Sequence, residues 1–354
     1  MYRMSIFLIT FFLTMLIYGS AESTDLFLPY QTYPVGSYPE AVAIGDVNSD
    51  GNNDVVMTTG YYSDPDNDYR IHVFLQNPLG ELEPPVKYLT NGTYTSRPES
   101  IDIGDLNGDG KADVVVGNSG DSIEIFIQNS SGELAPGITY STVNSNSVKI
   151  GDLNNDGLLD VVGIGWGTNT ADVFLQNANG TMDPPITYNV THGGYDEVVV
   201  GDVNNDGLHD IVVMSGQTYA DNIGILYQEN DGDFGSPIYY DLGGNEITNG
   251  IAIGDINDDF LQDIVVSYGG NVPNSFIGSF SQNEMGTLEE PISYSSYNCP
   301  EPVEIADVNF DGKADVLTAH GGWNALGVYI QDDVLGLLPE VNYSLPYASH
   351  YNPQ

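Results

Sequence analysis

The ten residues GDLNGDGKAD at positions 104–113 are one of six copies of the pattern that decides this fold. The pattern reads Gly-Asp-x-Asn-x-Asp-Gly-x-x-Asp, and its copies begin at Gly45, Gly104, Gly151, Gly201, Gly254 and Ala306. The fifth copy has Phe260 in place of the second Gly, and the sixth has Ala306 in place of the first. The first aspartates of successive copies lie 59, 47, 50, 53 and 52 residues apart. A period of about 50 residues predicts a repeat architecture.

Each copy places oxygen-bearing side chains at alternate positions of a short loop, which is the arrangement of a calcium cage. In the first copy the predicted ligands are the side chains of Asp46, Asn48, Asp50 and Asp54 and the backbone carbonyl of Asn52. Without imidazole or thiolate donors, the set favours calcium over zinc or copper, and its flexibility disfavours octahedral magnesium. The other copies place the same five positions at Asp105, Asn107, Asp109, Lys111 and Asp113; Asp152, Asn154, Asp156, Leu158 and Asp160; Asp202, Asn204, Asp206, Leu208 and Asp210; Asp255, Asn257, Asp259, Leu261 and Asp263; and Asp307, Asn309, Asp311, Lys313 and Asp315.

We therefore expect up to six Ca²⁺ ions, with the fifth site the weakest. A positive φ at Phe260 would cost about 1–2 kcal/mol, so this loop either takes another path or binds calcium less tightly. An EF-hand is disfavoured because its bidentate Glu at position 12 is absent and the flanking segments, such as ADVVVG after the second copy, are β-branched. A metal-free Asx-turn would explain one isolated copy, but six copies favour calcium.

The remainder of each repeat adds strands to the calcium hairpin. A strand such as DVVVG follows the loop, a third strand ends near a Gln as in IEIFIQN from Ile123, and a Pro-aromatic strand such as LAPGITY ends at Tyr140. Four short antiparallel strands per repeat predict an all-β fold, a β-propeller of four-stranded antiparallel blades. The segment LFLPYQTYPVG from Leu26 looks like a further fourth strand, so the number of blades is six or an incomplete seven.

These repeats resemble the FG-GAP or VCBS repeat family, whose calcium-loop blades also form the N-terminal propeller of integrin alpha chains. The resemblance extends from about Thr24 to Tyr347. It implies a calcium-stabilised propeller and is compatible with extracellular recognition. Members of the family form seven-bladed propellers, whereas this chain carries six loops. The legs, transmembrane helix and inserted domain of integrins have no counterpart in the sequence, so integrin function does not follow.

The N-terminus predicts export from the cell. Residues 1–21 contain Arg3, an apolar run from Ile6 to Tyr18, and the small residues Gly19-Ser20-Ala21, as in a cleaved signal peptide. Residues 22–354 then form the propeller, a secreted extracellular protein without stable membrane insertion. An uncleaved anchor is the alternative. The single cysteine, Cys299, excludes an internal disulfide and is either buried or paired with another chain. Five sequons agree with secretion: Asn91, Asn129, Asn179, Asn189 and Asn342.

The charge of the chain excludes a nucleic-acid partner. The formal net charge is −43, and only seven Lys and Arg are spread over 354 residues. Nineteen of the 50 acidic residues lie in the six loops, three in each loop except the fifth, which has four. Six bound calcium ions would therefore leave the chain strongly acidic.

The loops at the other end of the blades are the predicted recognition surface. They carry the aromatic residues Tyr61, Tyr62, Trp166, Tyr219, Tyr268 and Trp323, with Tyr94, His192 and Tyr195 in the connections between blades. Such residues suit an extracellular glycan or protein ligand, although several could instead pack between blades. Since no catalytic constellation is evident among the five His residues, we expect a binding or adhesion module and not an enzyme. A lyase or hydrolase acting on saccharides, and a structural matrix protein, are the alternatives.

Overall fold

The computed structural model describes residues 26–27, 29–35, 39–60, 68–93, 96–119, 122–190, 195–215, 223–242, 247–321 and 323–345. All regular secondary structure in these residues is β-strand. None of the described segments is a helix long and apolar enough to cross a bilayer. The predicted signal peptide, residues 1–21, lies outside the described residues.

Each sequence repeat forms one four-stranded antiparallel sheet, or blade, with its strands in chain order. Blade 1 comprises β1 (Pro39–Gly45), β2 (Asp54–Thr59), β3 (Arg70–Phe74) and β4 (Val86–Leu89). Blade 2 comprises β5 (Pro98–Gly104), β6 (Asp113–Asn118), β7 (Ser122–Phe126) and β8 (Ile138–Ser141). Blade 3 comprises β9 (Ser147–Gly151), β10 (Asp160–Ile164), β11 (Thr170–Phe174) and β12 (Ile186–Asn189).

The later three repeats follow the same plan. Blade 4 comprises β13 (Tyr195–Gly201), β14 (Asp210–Ser215), β15 (Ile223–Leu226) and β16 (Ile238–Tyr240). Blade 5 comprises β17 (Thr248–Gly254), β18 (Asp263–Gly269), β19 (Ser275–Phe280) and β20 (Ile292–Ser295). Blade 6 comprises β21 (Pro300–Ala306), β22 (Asp315–His320), β23 (Ala325–Tyr329) and β26 (Val341–Ser344), with a small hairpin of β24 (Gln331–Asp332) and β25 (Gly336–Leu337) before β26.

The prediction of an all-β propeller of four-stranded antiparallel blades is confirmed. In the described part of the chain there are six complete four-stranded blades, and the segment from Leu26 forms no strand there. The second and third strands of the blades are mostly buried, as in β6, whose six residues are all buried. The fourth strand lies at the sheet edge and is mostly exposed, which explains why Pro precedes it without loss of ladder hydrogen bonds.

The blades belong to two compact units. The first unit contains the described residues up to Val198 together with Gln228–Pro237, and so includes blades 1 to 3. Its core lies between neighbouring sheets, where Val56 and Ile71 of blade 1 pack with Val114 and Phe126 of blade 2. The second unit contains Val199–Tyr227 and the described residues from Ile238 onward. Its core is built the same way, with Val265 and Ile277 of blade 5 packed with Val316 and Tyr329 of blade 6.

Tyrosines of the fourth strands, such as Tyr140 and Tyr240, contact the following blade. Within the first unit, the Tyr140 ring of blade 2 meets the Phe174 ring of blade 3 edge-on at 6.3 Å, and the Tyr140 hydroxyl accepts the Met182 N–H at 3.3 Å. Tyr33 of the N-terminal segment meets Phe74 of blade 1 in the same way, at 6.0 Å. The segment that resembles a fourth strand therefore makes the aromatic contact of such a strand without pairing as one.

Candidate functional site

The six acidic sequence copies form the loops of the hairpins between the first and second strands. We number these loops 1 to 6 and their residues from the first Asp, so that loop 1 is residues 46–54 and loop 2 is residues 105–113. In each unit the strands on both sides pair antiparallel up to the loop, as Gly45 with Asp54 and Gly254 with Asp263. The prediction that these loops lie in β-hairpins and not between helices is confirmed.

Positions 1, 3 and 5 share one hydrogen-bond frame in all six loops. In loop 1 the Asp46 carboxylate accepts the N–H groups of Asp50 and Gly51 at 3.1 and 2.8 Å. The Asn48 side-chain oxygen accepts the Asp50 N–H at 2.8 Å, and the Asp50 carboxylate accepts the Asn52 N–H at 2.8 Å. The other five loops repeat these bonds at distances between 2.7 and 3.2 Å. The first residue is half-buried and the fifth is exposed throughout.

Two positions in every loop have left-handed backbone, at residues 4 and 6. Position 4 has φ between 58° and 74°, and position 6 has φ between 67° and 93°. Phe260 adopts φ 67° and donates its N–H to Asp255 at 2.8 Å, as Gly110 does to Asp105 at 2.7 Å. Loop 5 therefore takes the common path, which excludes the alternative that it follows another one. The left-handed backbone at position 4, where Phe310 of loop 6 has φ 63°, was not predicted from the sequence.

Position 9 is a buried carboxylate whose two oxygens both accept backbone N–H groups. Asp54 is fully inaccessible and accepts the Val47 N–H at 3.2 Å and the Gln76 N–H at 2.8 Å. It thus joins the start of its own loop to the end of the third strand. Burial raises the pKa of Asp54 and Asp113 to about 6 and that of Asp160 and Asp263 to about 7, although these N–H groups act in the opposite direction. Burial also raises the pKa of Asp315.

The donor chemistry of the loops fits a hard cation. Positions 1, 3 and 5 gather two carboxylates and an amide oxygen within five residues, and each oxygen that accepts one N–H retains a second lone pair. The position 9 carboxylate is directed to its own backbone partners. Within the described ranges, no three His, Cys, Asp or Glu side chains converge closely enough to hold a metal ion by themselves. A calcium ion would therefore be held by Asp46, Asn48, Asp50 and the Asn52 carbonyl first, and their equivalents in the other loops.

Loops 1 to 4 are also covered by the next blade, a feature that was not predicted from the sequence. The Gln176 side-chain amide of blade 3 donates to the Asp105 carbonyl of loop 2 at 3.2 Å and to the Leu159 carbonyl at 2.9 Å. Gln128, Gln228 and Gln282 reach the first Asp carbonyl of loops 1, 3 and 4 in the same way. A Cβ at Gly180 would lie 2.7 Å from the Asn107 carbonyl oxygen, so the turn of blade 3 needs Gly there. The signal was present in the sequence, since every third strand is followed by Gln.

The aromatic residues predicted to lie at the opposite strand ends differ in their exposure to solvent. Trp166 and Trp323 are 68% and 48% exposed. Tyr268 is only 4% exposed and stacks on Phe276 at 5.5 Å, so its prediction as an exposed loop residue is wrong. Tyr268 lies within β18, and its side chain packs in the hydrophobic core of the second unit. Tyr61, Tyr62, Tyr94, His192, Tyr219 and the side chain of Tyr195 lie outside the described residues.

The histidines and the cysteine show no shared arrangement in the described residues. His209 of loop 4 is exposed. His72 and His320 are buried, where His72 contacts Asp68 at 3.3 Å and His320 contacts Glu340 at 2.7 Å. Burial lowers the pKa of His72. Cys299 is half-buried, with its Sγ 3.8 Å from the Asn271 side-chain oxygen.

The repeats, the blades and the acidic loops together define the class of protein. The FG-GAP-like repeat family matches this chain at residues 46–116, 105–163, 152–213 and 202–266, more than half of its 354 residues. The chain belongs to the FG-GAP-like repeat family, and its fold is an FG-GAP repeat β-propeller. No curated protein matches the sequence.

Several solved structures share the fold at low sequence identity. A putative 6-phosphogluconolactonase from Bacteroides uniformis has a TM-score of 0.63 and 15% identity, over 87% of this chain and 85% of that one. A protein from Lactobacillus plantarum has a TM-score of 0.61 and 12% identity, over 87% and 85% of the two chains. BBS1N, solved in complex with ARL6DN, has a TM-score of 0.55 and 13% identity, over 88% and 83%. At such identities the likeness establishes the fold alone.

Proposed function

We propose that this protein is a secreted calcium-binding propeller that acts as an extracellular recognition or adhesion module for a protein or glycan ligand. Calcium has a mainly structural role at one end of the blades, and the loops at the other end bind the ligand. The observation that carries the proposal is the hydrogen-bond frame of the six loops, which holds the same oxygen side chains in the same arrangement each time.

The electrostatics of the loops support a cation. Asp46 and Asp50 of loop 1 have no cationic side chain in ion-pair contact within the described residues, whereas Lys111 of loop 2 lies 2.9 Å from Asp109. Desolvation by burial is the main cause of the raised pKa values at position 9, and repulsion from Asp46 and Asp50, or from their equivalents in the other loops, raises these values further. A bound divalent cation would offset that repulsion.

The proposal assigns recognition, and not catalysis, to the opposite strand ends. The loops there differ from blade to blade in length and composition, as expected for a specificity surface on a repeated scaffold. Four of the sequon residues are exposed and therefore accessible to a glycan, as expected if the protein is exported: Asn91, Asn179, Asn189 and Asn342. Export itself is tested by N-terminal sequencing of the secreted protein, which we expect to begin at Glu22.

Calcium binding is tested by isothermal titration and by thermal unfolding with and without EDTA. With extracellular-type dissociation constants of about 10⁻⁴ to 10⁻³ M, about 1 mM calcium adds about 0.4–1.4 kcal/mol per site, or about 2–8 kcal/mol for six. We expect up to six ions per chain and a melting temperature that falls by many degrees in EDTA. Excess calcium should restore it, and an equal concentration of magnesium should not. An EDTA melting curve identical to that in calcium would contradict the proposal.

A further inference from the structure

A polar cleft of about 340 Å³ lies in the first unit, at the strand ends far from the acidic loops. Among the described residues, six from three blades line it: Glu40, Arg97, Glu99, Ser119, Asn146 and Trp166. They lie where first strands begin or where second strands have ended, whereas loops 1 to 3 join the opposite ends of those strands. A cavity of this size accommodates a small ligand or one residue of a larger one.

Asn146 organises one wall of the cleft. Its side-chain N–H₂ donates to Glu99 at 2.5 Å and to the Ser119 hydroxyl at 3.1 Å, and its side-chain oxygen accepts the Trp166 backbone N–H at 2.9 Å. Arg97 forms an ion pair with Glu99. Because Ser119 Oγ accepts from Asn146, its own proton can be donated to a ligand. The network therefore fixes the position of several polar groups before anything binds.

Trp166 supplies the apolar surface of the cleft. Its side chain is 68% exposed although its backbone is held by Asn146. An exposed indole on a backbone that is held in place can serve as a stacking platform for a ligand. The comparable residue of blade 6, Trp323, is instead in edge contact with Tyr297, which also contacts His320.

Glu40 supplies a hydrogen-bond acceptor on the other wall. No side chain in the described residues hydrogen-bonds to its carboxylate. Desolvation and the neighbouring Glu99 raise the pKa of Glu40, whereas Arg97 lowers it. A carboxylate in these surroundings is stabilised by a ligand that donates a hydrogen bond to it.

The charged side chains that line the cleft favour a neutral ligand. Two carboxylates against one guanidinium disfavour an anion, and Arg97 in the wall disfavours a cation. A neutral hydroxyl both donates and accepts, so it can satisfy Glu40, Ser119 and the guanidinium edge at once. The apolar C–H face of a sugar ring is complementary to an exposed indole.

We propose that this cleft binds one neutral sugar residue of a glycan, with its ring on Trp166 and its hydroxyls bonded to Glu40, Ser119 and Arg97. The assignment rests on the proposed recognition function and makes it specific in ligand and in place. Asn146 acts as a positioning residue, because its side chain holds Glu99 and the Trp166 backbone and has no donor left for the ligand.

The chain contains only two tryptophans, which permits a matched experiment. The full-length secreted protein is applied to an array of neutral, amino and acidic oligosaccharides, and the neutral one that binds best is used as the probe. Trp323→Phe leaves Trp166 as the only indole, and Trp166→Phe leaves Trp323. We expect the probe to change the fluorescence of Trp323→Phe and protect it from acrylamide quenching, with no change in Trp166→Phe. Trp166→Ala should weaken binding by about tenfold or more, and Glu40→Gln by a smaller factor at unchanged melting temperature.

The outcomes separate this assignment from the proposed function. Glycan binding that survives Trp166→Ala would place the glycan elsewhere on the protein. It would overturn the assignment of the cleft as the sugar site, although the recognition function would stand. Binding of a protein ligand, with no oligosaccharide bound from the array, would also overturn the sugar site and leave the recognition function standing. Preference for a Lys-rich peptide that Glu40→Gln abolishes would replace the neutral sugar with a cation. Absence of binding to any glycan or extracellular protein would contradict both the sugar-binding role of the cleft and the recognition function.

Discussion

Loop 2 and loop 5 have the same backbone hydrogen bonds but differ in their side chains and in their net charge. Loop 2 has Gly108 and Gly110 at its two left-handed positions, whereas loop 5 has Asp258 and Phe260 there. Loop 2 pairs Asp109 with its own Lys111 and has a net charge of −2, whereas loop 5 contains four aspartates and no cation. Even so, the bonds accepted by their first, third, fifth and ninth residues match within about 0.2 Å in length.

The comparison shows that side-chain oxygens bonded to backbone N–H groups define the loop path, and that Gly only reduces its strain. The surroundings of the two loops differ as well. The turn of blade 3 presses Gly180 against the Asn107 carbonyl of loop 2. The corresponding turn of blade 6 is different, and a Cβ at its Gly336 would meet only the Tyr294 hydroxyl. In the second unit, Lys313 pairs with Asp333 and has Asp258 of loop 5 among its charged neighbours.

The largest effect is expected from removing the ninth-position carboxylates that both loops share. Asp113→Ala and Asp263→Ala each leave two N–H groups without their acceptor, those of Leu106 and Gln128 in loop 2 and of Ile256 and Gln282 in loop 5. Each should cost about 3 kcal/mol or more, measured by denaturant unfolding in EDTA so that calcium does not contribute. The control is Asp258→Asn, an exposed acid at a left-handed position, which should stay within about 0.5 kcal/mol. A much smaller cost at Asp263 than at Asp113 would break the equivalence of the loops.

A smaller effect is expected from exchanging the residues at position 6. Gly110 has φ +83° and open space where a Cβ would stand, so Gly110→Phe changes backbone strain alone and should cost about 1–2 kcal/mol. Phe260→Gly should stabilise by about 0.5–1 kcal/mol, because relief of strain exceeds the added freedom of the unfolded chain. Gly270→Ala is the matched control, since Gly270 also has open space but no positive φ. Thermal unfolding measures all three, and a destabilised Phe260→Gly would show that Phe260 makes a contact that outweighs its strain.

The smallest effect is expected from the charge difference between the loops. The Lys111–Asp109 ion pair is largely exposed, so Lys111→Leu should change the melting temperature little. It removes a competitor for the Asp109 carboxylate, and calcium should bind loop 2 about two- to fivefold more tightly. Leu261→Lys in loop 5 should have the reverse effect. Calcium titration at low and high salt checks both, since high salt should reduce the difference. Equal affinities at low salt would mean that position 7 acts only through its carbonyl.

Much of the fold could be predicted because the same local sequence pattern occurs in every repeat. Six copies of one hairpin pattern predicted the position of every acidic loop, and alternation of loop and β-branched strand predicted the four-stranded blades. The contacts between blades could not be predicted in this way. The Gln176 amide reaches Asp105, a residue 71 positions earlier, and the Tyr140 ring reaches Phe174 of the following blade. Such partners are fixed by the packing of sheets and not by local spacing.

The recognition surface shows the same limit. Trp166 and Tyr268 looked alike as aromatic residues after a second strand, yet one is mostly exposed and the other stacks within its blade. The polar cleft could not be found from the sequence, because the described residues that line it come from three repeats and are spread from Glu40 to Trp166. Only the packed blades bring them together.

The sequence by itself determined the repeat, the strand order of each blade and the chemistry of the acidic loops, because these depend on interactions between residues a few positions apart. Only the tertiary structure decided that the ninth aspartate is bonded to two backbone N–H groups, and that Asn146 holds Glu99 and the backbone of Trp166 around one cleft. These features depend on burial and on contacts between blades. No local pattern specifies them, since the free energy that selects them is gained only when the sheets pack.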